Sequence, residues 1–185
     1  MKVKVVVTCV GIMPLYMDFR WIDFWNERFA EALSDPSADA ARRLFINEQG
    51  NVSLPACAIQ GALKVALSNG QKTKELGDYL IVEEQPCELR NSVGSDAASW
   101  EPQVLTGDTL RMKDIVAAVV PRINDWSFQV AGEYDDKQVE RSDLIAAFQK
   151  AGQGRGFGFC SPYNGSGRNG RFDITNWAET TPSER

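Results

Sequence analysis

The sequence contains no histidine at all. Histidine is the usual acid or base near neutral pH and the commonest protein metal ligand. Its absence excludes Ser-His-Asp and Cys-His nucleophile systems and histidine-ligated metal sites. Cysteine is scarce, and the four that occur, at positions 9, 57, 87 and 160, form no CxxC pair that would indicate a zinc site. We therefore expect buried free thiols, no metal or other cofactor, and a reducing, cytoplasmic setting.

Long hydrophobic runs and an excess of positive charge are also missing. The most apolar stretches, such as residues 3–13 and 115–120, are far shorter than the roughly 20 residues that cross a bilayer, so we predict no membrane partner. The 20 lysines and arginines are outnumbered by 25 aspartates and glutamates, which gives a net charge of −5. This balance argues against a nucleic-acid binder that uses its whole surface, although it allows a local basic patch.

What is present is the composition of an ordinary globular domain, with 185 residues, 43% of them apolar and 24% charged. Ser142 is the predicted N-cap of the last helix, and a turn at residues 49–51 predicts two short extended arms over 43–54. Hydrophobic periodicity predicts strands over residues 2–10, 79–82, 112–123, 127–134 and 171–177, and helices over 19–33, 55–67 and 142–151.

The order of these elements reduces to β, α, β, β, α, β. It predicts an α+β fold of the ferredoxin-like (βαββαβ) kind, with an antiparallel sheet and both helices on one face. Residues 112–123 and 127–134 are predicted to pair as a hairpin, and the polar, turn-rich residues 83–111 predict a long inserted hairpin or loop. We predict one domain over residues 1–178, followed by a loose tail over 179–185.

The most informative segment, residues 150–171, combines three features on an acidic chain. It has four basic residues and no acidic one, it holds 7 of the 15 glycines, and aromatic residues are interleaved among them. Glycine lets a backbone approach a partner closely, arginine presents a forked donor that suits phosphate, and aromatic rings stack on bases. The segment predicts a grip on single-stranded nucleic acid, or, alternatively, a C-terminal hairpin whose aromatic rings turn into the core. The candidate binding residues here are Lys150, Arg155, Phe157, Tyr163, Arg168, Asn169 and Arg171.

Three stretches resemble motifs of the RAMP superfamily, the CRISPR-associated backbone and processing subunits. Residues 52–64 (VSLPACAIQGALK) are similar to the family's proline-led signature, and Met13-Pro14-Leu15 is similar to the motif that ends its first strand. Residues 154–158 (GRGFG) resemble its C-terminal glycine-rich loop. The motifs occur in the family's order, and the rest of the chain is unmatched.

The resemblance implies a non-catalytic subunit of antiviral defense that holds single-stranded guide RNA along its backbone. It also implies head-to-tail assembly with copies of itself or with other RAMP-like subunits. In the family the first turn of the helix after the proline meets RNA phosphates; the family's lysine position is Gln60 here, and Lys64 lies one turn further on. Arg122, between two predicted strands, is a further candidate for phosphate contact.

Two other classes of function remain as alternatives. An acidic RAMP-like protein encoded by a virus or mobile element could act through protein–protein contacts alone, as a structural or inhibitory protein, because a negative surface can occupy a basic groove. A metal-dependent ribonuclease would need carboxylates such as Asp18, Asp23 or Asp173, but the sequence has no DxD or ExK cluster to hold Mg²⁺. We therefore predict a protein that is not an enzyme.

Overall fold

The computed structural model describes residues 1–18, 35–66, 80–106, 117–158, 161–162 and 167–180. The predicted helix over 19–33, together with Asp23, Phe159, Cys160 and Tyr163, lies outside the described residues. The predicted α+β class is confirmed. The strands are β1 Lys2–Gly11, β2 Leu15–Tyr16, β3 Ser53–Leu54, β4 Leu80–Val82, β5 Cys87–Glu88, β6 Glu101–Thr106, β7 Ala117–Ile123, β8 Ser127–Asp135 and β9 Phe172–Thr180; the helices are α1 Pro36–Ala41, α2 Ala56–Ala66 and α3 Arg141–Gly154.

The main sheet has four strands in the order β4-β8-β1-β9, and every neighbouring pair is antiparallel. Strand β1 lies in the middle and pairs with β8 from Lys2↔Asp135 to Val10↔Ser127. On its other side β1 pairs with β9, and the register shifts by one residue between Thr8 and Cys9. The valine-rich first strand predicted from the sequence is therefore the centre of the sheet.

One face of this sheet carries the hydrophobic core. Val3, Val5 and Val7 alternate with exposed or half-buried residues along β1, as expected for a strand with one covered face. Helix α2 packs against β4 and α3, while α3 packs against β9. Side chains of both helices, including Ile59 and Leu144, join the same buried cluster as the valines of β1.

A second sheet lies beside the main one, with three antiparallel strands in the order β2-β7-β6. Helix α1 packs against β6 and β7, and its first N–H groups are capped by Asp35, whose side chain accepts from the Ala38 N–H at 3.0 Å. The predicted insertion over 83–111 is thus not only a loop, because it contains β5 and contributes β6 to this sheet.

The predicted hairpin between residues 112–123 and 127–134 is wrong. Strand β7 pairs with β2 and β6, whereas β8 pairs with β1 and β4, so each strand has both edges occupied by other partners. The chain changes sheets at Trp126, which is fully buried and donates its indole N–H to the Met13 carbonyl at 2.9 Å. Gly11 makes room for this ring, since a Cβ there would lie 2.2 Å from it.

Three smaller predictions also differ from the structure. The N-cap of α3 is Glu140, and Ser142 lies inside the helix with its hydroxyl donated to the Glu140 carboxylate. Strand β9 continues through Thr180, two residues into the stretch predicted as a loose tail. Cys57 is exposed on α2, whereas Cys9 and Cys87 are buried free thiols as expected.

The side chain of Glu179 fixes β9 to β8 and α3. Its Oε1 accepts hydrogen bonds from the Tyr134 hydroxyl and the Trp177 indole, each at 2.7 Å, and lies 3.7 Å from Arg141 Nε. Partial burial pushes the pKa of Glu179 upward, but the bonds from Trp177 and Tyr134 and the charge of Arg141 together hold it below its usual range. Burial and the bond to Glu179 raise the pKa of Tyr134 to about 12.

We expect the free energy of unfolding to fall between pH 10 and pH 12 because of Tyr134. A tyrosine whose pKa is higher in the folded state stabilises the protein fully below its unfolded pKa, and this contribution is lost as the pH rises through the folded pKa of about 12. Urea unfolding at about pH 9 and about pH 11.5 measures the fall. Tyr134→Phe should make it smaller, and the same alkaline fall in both proteins would contradict the assignment.

Candidate functional site

The described parts of the glycine-rich segment fold back onto the residues that follow β1. Helix α3 ends at Gly154, and the Gly156 N–H donates to the Ala151 carbonyl at 2.9 Å. The Phe157 N–H donates to the Gly170 carbonyl at 2.9 Å, and the Gly170 N–H donates to the Pro14 carbonyl at 2.7 Å. We call this the glycine junction: the meeting of residues 12–16, 154–158 and 168–171.

The glycines of the junction are required for the chain to pack against itself. Gly156, Gly158 and Gly170 have φ values of +62°, +75° and +66°, which other residues rarely adopt. A Cβ on Gly158 would lie 2.2 Å from the Tyr16 carbonyl oxygen, and one on Gly170 would lie 1.9 Å from the Phe157 carbonyl oxygen. These glycines therefore admit backbone of the same chain, in place of the partner that the sequence analysis expected them to admit.

Phe157 lies in the core. Its side chain is 6% exposed, it stacks on Phe172 with the ring centroids 5.0 Å apart, and it meets the edge of Phe128 at 5.7 Å. This is the packed arrangement that the sequence analysis held as the alternative, and it leaves no ring face open to a base. Phe157 therefore does not contribute to a stacking platform.

Two of the predicted arginines are held by the protein itself. Arg155 follows the end of α3 and is 9% exposed. Arg122 lies within β7 and not at a hairpin tip, because β7 runs through Ile123. Its Nη1 is 3.3 Å from Gln103 Oε1 and 3.8 Å from Glu101 Oε1, so a carboxylate already faces this guanidinium.

Arg168, Asn169 and Arg171 surround the turn at Gly170. Arg168 is exposed, and the other two are half-buried. The backbone carbonyl of Arg171 accepts from the Ile12 N–H at 2.9 Å, which fixes the turn to the end of β1. Arg171 Nε is buried and has no hydrogen-bond partner among the described residues. Within the part of the chain that the structure describes, this turn brings three predicted binding residues together, next to Phe157 of the glycine junction.

The two arginines of this turn differ in their surroundings from four other arginines of the described ranges, which form ion pairs. Across the described ranges no carboxylate lies within ion-pair distance of Arg168 or Arg171. By contrast, five other basic side chains each form an ion pair with a carboxylate: Lys2, Arg43, Arg90, Arg122 and Arg141. An arginine without a counter-charge keeps its forked donors available for an anion.

The remaining predicted residues lie on the helix layer of the main sheet. Gly152 of α3 faces β9, since a Cβ there would meet the Phe172 carbonyl at 2.1 Å. Lys150 is two residues away and hence about 200° around the helix axis, so it points away from β9. On α2, Gln60 is half-buried and Lys64 is exposed. Because α2 packs against β4 and α3, these two residues lie on the helix layer, whereas the Gly170 turn is bonded to the segment after β1.

The candidate catalytic aspartates are engaged in structural contacts where they are described. Asp18 Oδ2 lies 3.1 Å from Arg43 Nη1, and Asp39 Oδ2 lies 3.5 Å from Arg43 Nη2, with all three side chains less than 10% exposed. Asp173 accepts from the Gln153 amide at 2.7 Å. Within the part of the chain that the structure describes, no three histidine, cysteine, aspartate or glutamate side chains are grouped to hold a metal ion.

Two features near the turn were not predicted from the sequence: the contacts made by the segment Ile12–Tyr16, of which only the resemblance of Met13-Pro14-Leu15 was identified, and the exposure of Ile12. The segment Ile12–Tyr16 receives hydrogen bonds or close contacts from the 170–171 turn, from Gly158 and from Trp126. Its sequence signal is Pro14 directly after a strand, which prevents the strand from continuing. Ile12 beside Arg171 is 48% exposed, and the signal that could have found it is the alternation along β1, in which the even-numbered positions are the more exposed ones.

The two buried thiols of the described residues, Cys9 and Cys87, show no sign of activation. Burial raises the pKa of Cys9 well above its usual range and that of Cys87 to about 11, so both stay protonated near neutral pH.

Comparison with known proteins adds no relative: neither a family model nor a curated protein matches this sequence. None of the helices in the described ranges has the length and apolar character needed to cross a membrane. The residues of the Gly170 turn are therefore the basis on which a function is proposed.

Proposed function

We propose that the main sheet with α2 and α3 is a ferredoxin-like domain of the RAMP kind. Numbered by their order along the chain, β1, β4, β8 and β9 stand in the order 2-3-1-4 across the sheet, and all neighbours are antiparallel. A split βαβ unit has this arrangement, because the third strand separates the first two. The contact between the motif after the first strand and the glycine-rich motif at 154–158 also supports the resemblance.

We infer that the chain is a non-catalytic subunit that binds the backbone of single-stranded RNA. The observation that carries this proposal is the pair Arg168 and Arg171, which flank the Gly170 turn without a carboxylate partner in the described ranges. Guanidinium groups bind phosphate through two parallel hydrogen bonds. Because Phe157 is buried, binding rests on charge and on the half-buried amide of Asn169, so base identity has little effect.

In this proposal the surface that holds RNA is small, since most of the predicted residues are elsewhere or already engaged. Two arginines contact about two phosphates, so a single chain binds weakly. Several copies in a head-to-tail array, or other RAMP-like subunits, would add their contacts along one RNA strand. Tight binding is then a property of the assembly, through the effective concentration of neighbouring sites.

The test is fluorescence anisotropy with labelled single-stranded RNA of mixed sequence at low salt. We expect the double variant Arg168→Ala, Arg171→Ala to lose roughly tenfold or more in affinity, because each phosphate contact is removed without replacement. The matched control is Lys4→Ala, Lys137→Ala, which removes two exposed cations elsewhere and gives the same net charge of −5 − 2 = −7. An equal loss in both double variants would show a general charge effect and contradict the site.

The same titration separates RNA binding from the protein-contact alternative. If the wild-type chain binds no RNA at low salt, and freshly purified protein shows no excess absorbance at 260 nm over 280 nm, the RNA proposal is wrong. The acidic balance of the chain then favours a structural or inhibitory protein that acts through protein–protein contacts.

A further inference from the structure

Strand β9 is a long edge strand. It spans nine residues, pairs with β1, and stands at the end of the main sheet. Among the described residues no strand lies on its other side. Five of its residues are exposed, namely Thr175, Asn176, Ala178, Glu179 and Thr180. Its outer N–H and C=O groups are therefore open to a further strand.

This edge has few of the features that usually protect an edge strand from pairing. Proteins block edges with lysine, proline, very short strands or strong bulges. Strand β4, at the opposite edge of the sheet, has only three residues and is followed by Glu83 and Glu84, and β6, at the edge of the second sheet, contains Pro102. In β9 neither lysine nor proline occurs, its one bulge is confined to Thr175, and the carboxylates of Asp173 and Glu179 already accept hydrogen bonds within the chain.

We propose that β9 pairs antiparallel with β9 of a second copy of this chain, around a two-fold axis at Ala178. The regular part of the strand after the bulge is residues 176–180, paired with β1 from Thr8↔Asn176 to Lys4↔Thr180, and Ala178 is its middle residue. An antiparallel pair of identical strands is self-complementary, so the contact closes on itself as a dimer. The two main sheets then form one sheet of eight strands.

The side chains around this axis are compatible with such pairing. Asn176 lies opposite Thr180 of the second copy, and Trp177 lies opposite Glu179, so no like charges face each other. Trp177 and Glu179 are already fixed on the helix side, by the edge contact of Trp177 with Phe148 and by the bonds to Glu179. Because these two side chains are ordered before the strand meets a partner, less conformational entropy is lost on pairing.

Helix α3 packs against β9 beside this edge. Contacts of Arg141 with Glu179 and of Gly152 with Phe172 define the side of α3 that adjoins β9. Helical spacing places Ile145 and Gln149 on the same side, one half-buried and the other exposed. Because Arg141 lies beside Glu179, next to the axis, the two-fold brings the first turns of the two α3 helices together, where each Arg141 keeps the Glu179 carboxylate as its counter-charge.

Sedimentation velocity of the full chain over a range of concentrations tests the proposal. We expect a monomer–dimer equilibrium, and we expect Ala178→Lys to raise the dimer dissociation constant roughly tenfold, because it places two ammonium groups opposite each other at the axis. The matched control is Gln129→Lys, which adds the same charge on the same open sheet face but on β8, two strands from the edge. The control should dimerise like the wild type.

A cross-link gives a second and independent measurement. Directly opposed residues in an antiparallel pair have Cβ atoms about 4.5–5.5 Å apart, and closer in a non-hydrogen-bonded pair, so a small shift brings them to the roughly 3.5–4.5 Å that a disulfide spans. In a Cys57→Ser, Cys160→Ser background, which removes the exposed Cys57 and the one cysteine outside the described residues, Ala178→Cys should oxidise to a covalent dimer, and Gln129→Cys should not. This pairing does not depend on RNA, so it can fail while the RNA proposal holds.

Three outcomes would overturn the proposal. The first is a chain that stays monomeric up to about millimolar concentration, where a specific contact of this kind would be populated. The second is dimerisation that Gln129→Lys weakens as much as Ala178→Lys, since this would place the contact on the open face of the sheet. The third is a ladder of larger oligomers in which the Ala178→Cys variant forms no cross-link, which is the signature of head-to-tail assembly alone.

Discussion

Gly170→Ala should lower the free energy of unfolding by about 3 kcal/mol or more. The new Cβ would lie 1.9 Å from the Phe157 carbonyl oxygen and 2.8 Å from its carbon, both backbone atoms that cannot move aside alone. The backbone at Gly170 has φ +66°, which adds about 1–2 kcal/mol of strain for a residue with a Cβ. Relieving the clash must disturb the bond to Pro14 that closes the glycine junction. Urea unfolding monitored by tryptophan fluorescence measures the change.

The matched control is Gly154→Ala, at the end of α3. A Cβ there meets no atom within 4 Å, and the backbone is helical. Alanine favours a helix over glycine by up to about 1 kcal/mol, so this variant should be neutral or slightly more stable. If both variants unfold at the same urea concentration, the glycines of the segment do not fix the junction and the account of its geometry is wrong.

Arg43→Ala should destabilise the fold by about 3–5 kcal/mol, the usual range when one partner of a buried ion pair is removed. Asp18 and Asp39 would be left buried without their shared cation, and each has a side chain less than 10% exposed. Arg43 ties the residues after β2 to α1, so its loss also loosens the second sheet from the helix that covers it. Equilibrium urea unfolding gives the free-energy difference.

Lys2→Ala is the control for charge alone. Lys2 Nζ lies only 2.7 Å from Glu133 Oε1, but its side chain is 72% exposed. Exposed pairs contribute about 0–1 kcal/mol even at short distance, so this variant should unfold close to the wild type. Replacing Asp18 and Asp39 by asparagine in the Arg43→Ala chain should restore part of the lost stability, because the uncompensated charges are then gone. A further loss instead would contradict the electrostatic explanation.

The sequence predicted the elements whose signal is local. Strand β1 and helix α2 lie within one or two residues of their predicted bounds, since valine alternation and helical spacing are written in consecutive residues. The hairpin predicted around residues 122–125 failed because pairing is decided by distant partners. Strand β8 gains nine register positions with β1, more than a hundred residues earlier in the chain, and no local pattern reveals that competitor.

For the candidate site as well, the sequence predicted local features but not those that depend on distant parts of the chain. Composition identified the glycine-rich, basic segment, and the structure does place Arg168 and Arg171 at one turn. Composition could not show that Gly158 and Gly170 lie against carbonyl oxygens of the same chain, because a positive φ is a property of the folded backbone. Composition also could not show whether the Phe157 side chain lies in the core or on the surface, because an aromatic residue between glycines has no periodicity that indicates a buried face.

The dependence of RNA affinity on salt tests the central claim most directly. For single strands, the logarithm of the binding constant falls with the logarithm of salt concentration by about 0.7 for each phosphate contacted. If Arg168 and Arg171 each contact one phosphate, their double alanine variant should have a slope smaller than the wild type by about 1.4. The Lys4→Ala, Lys137→Ala control should keep the wild-type slope. A wild-type affinity that does not change with salt, or a slope unaffected by loss of the two arginines, would contradict the claim that the Gly170 turn holds an RNA backbone.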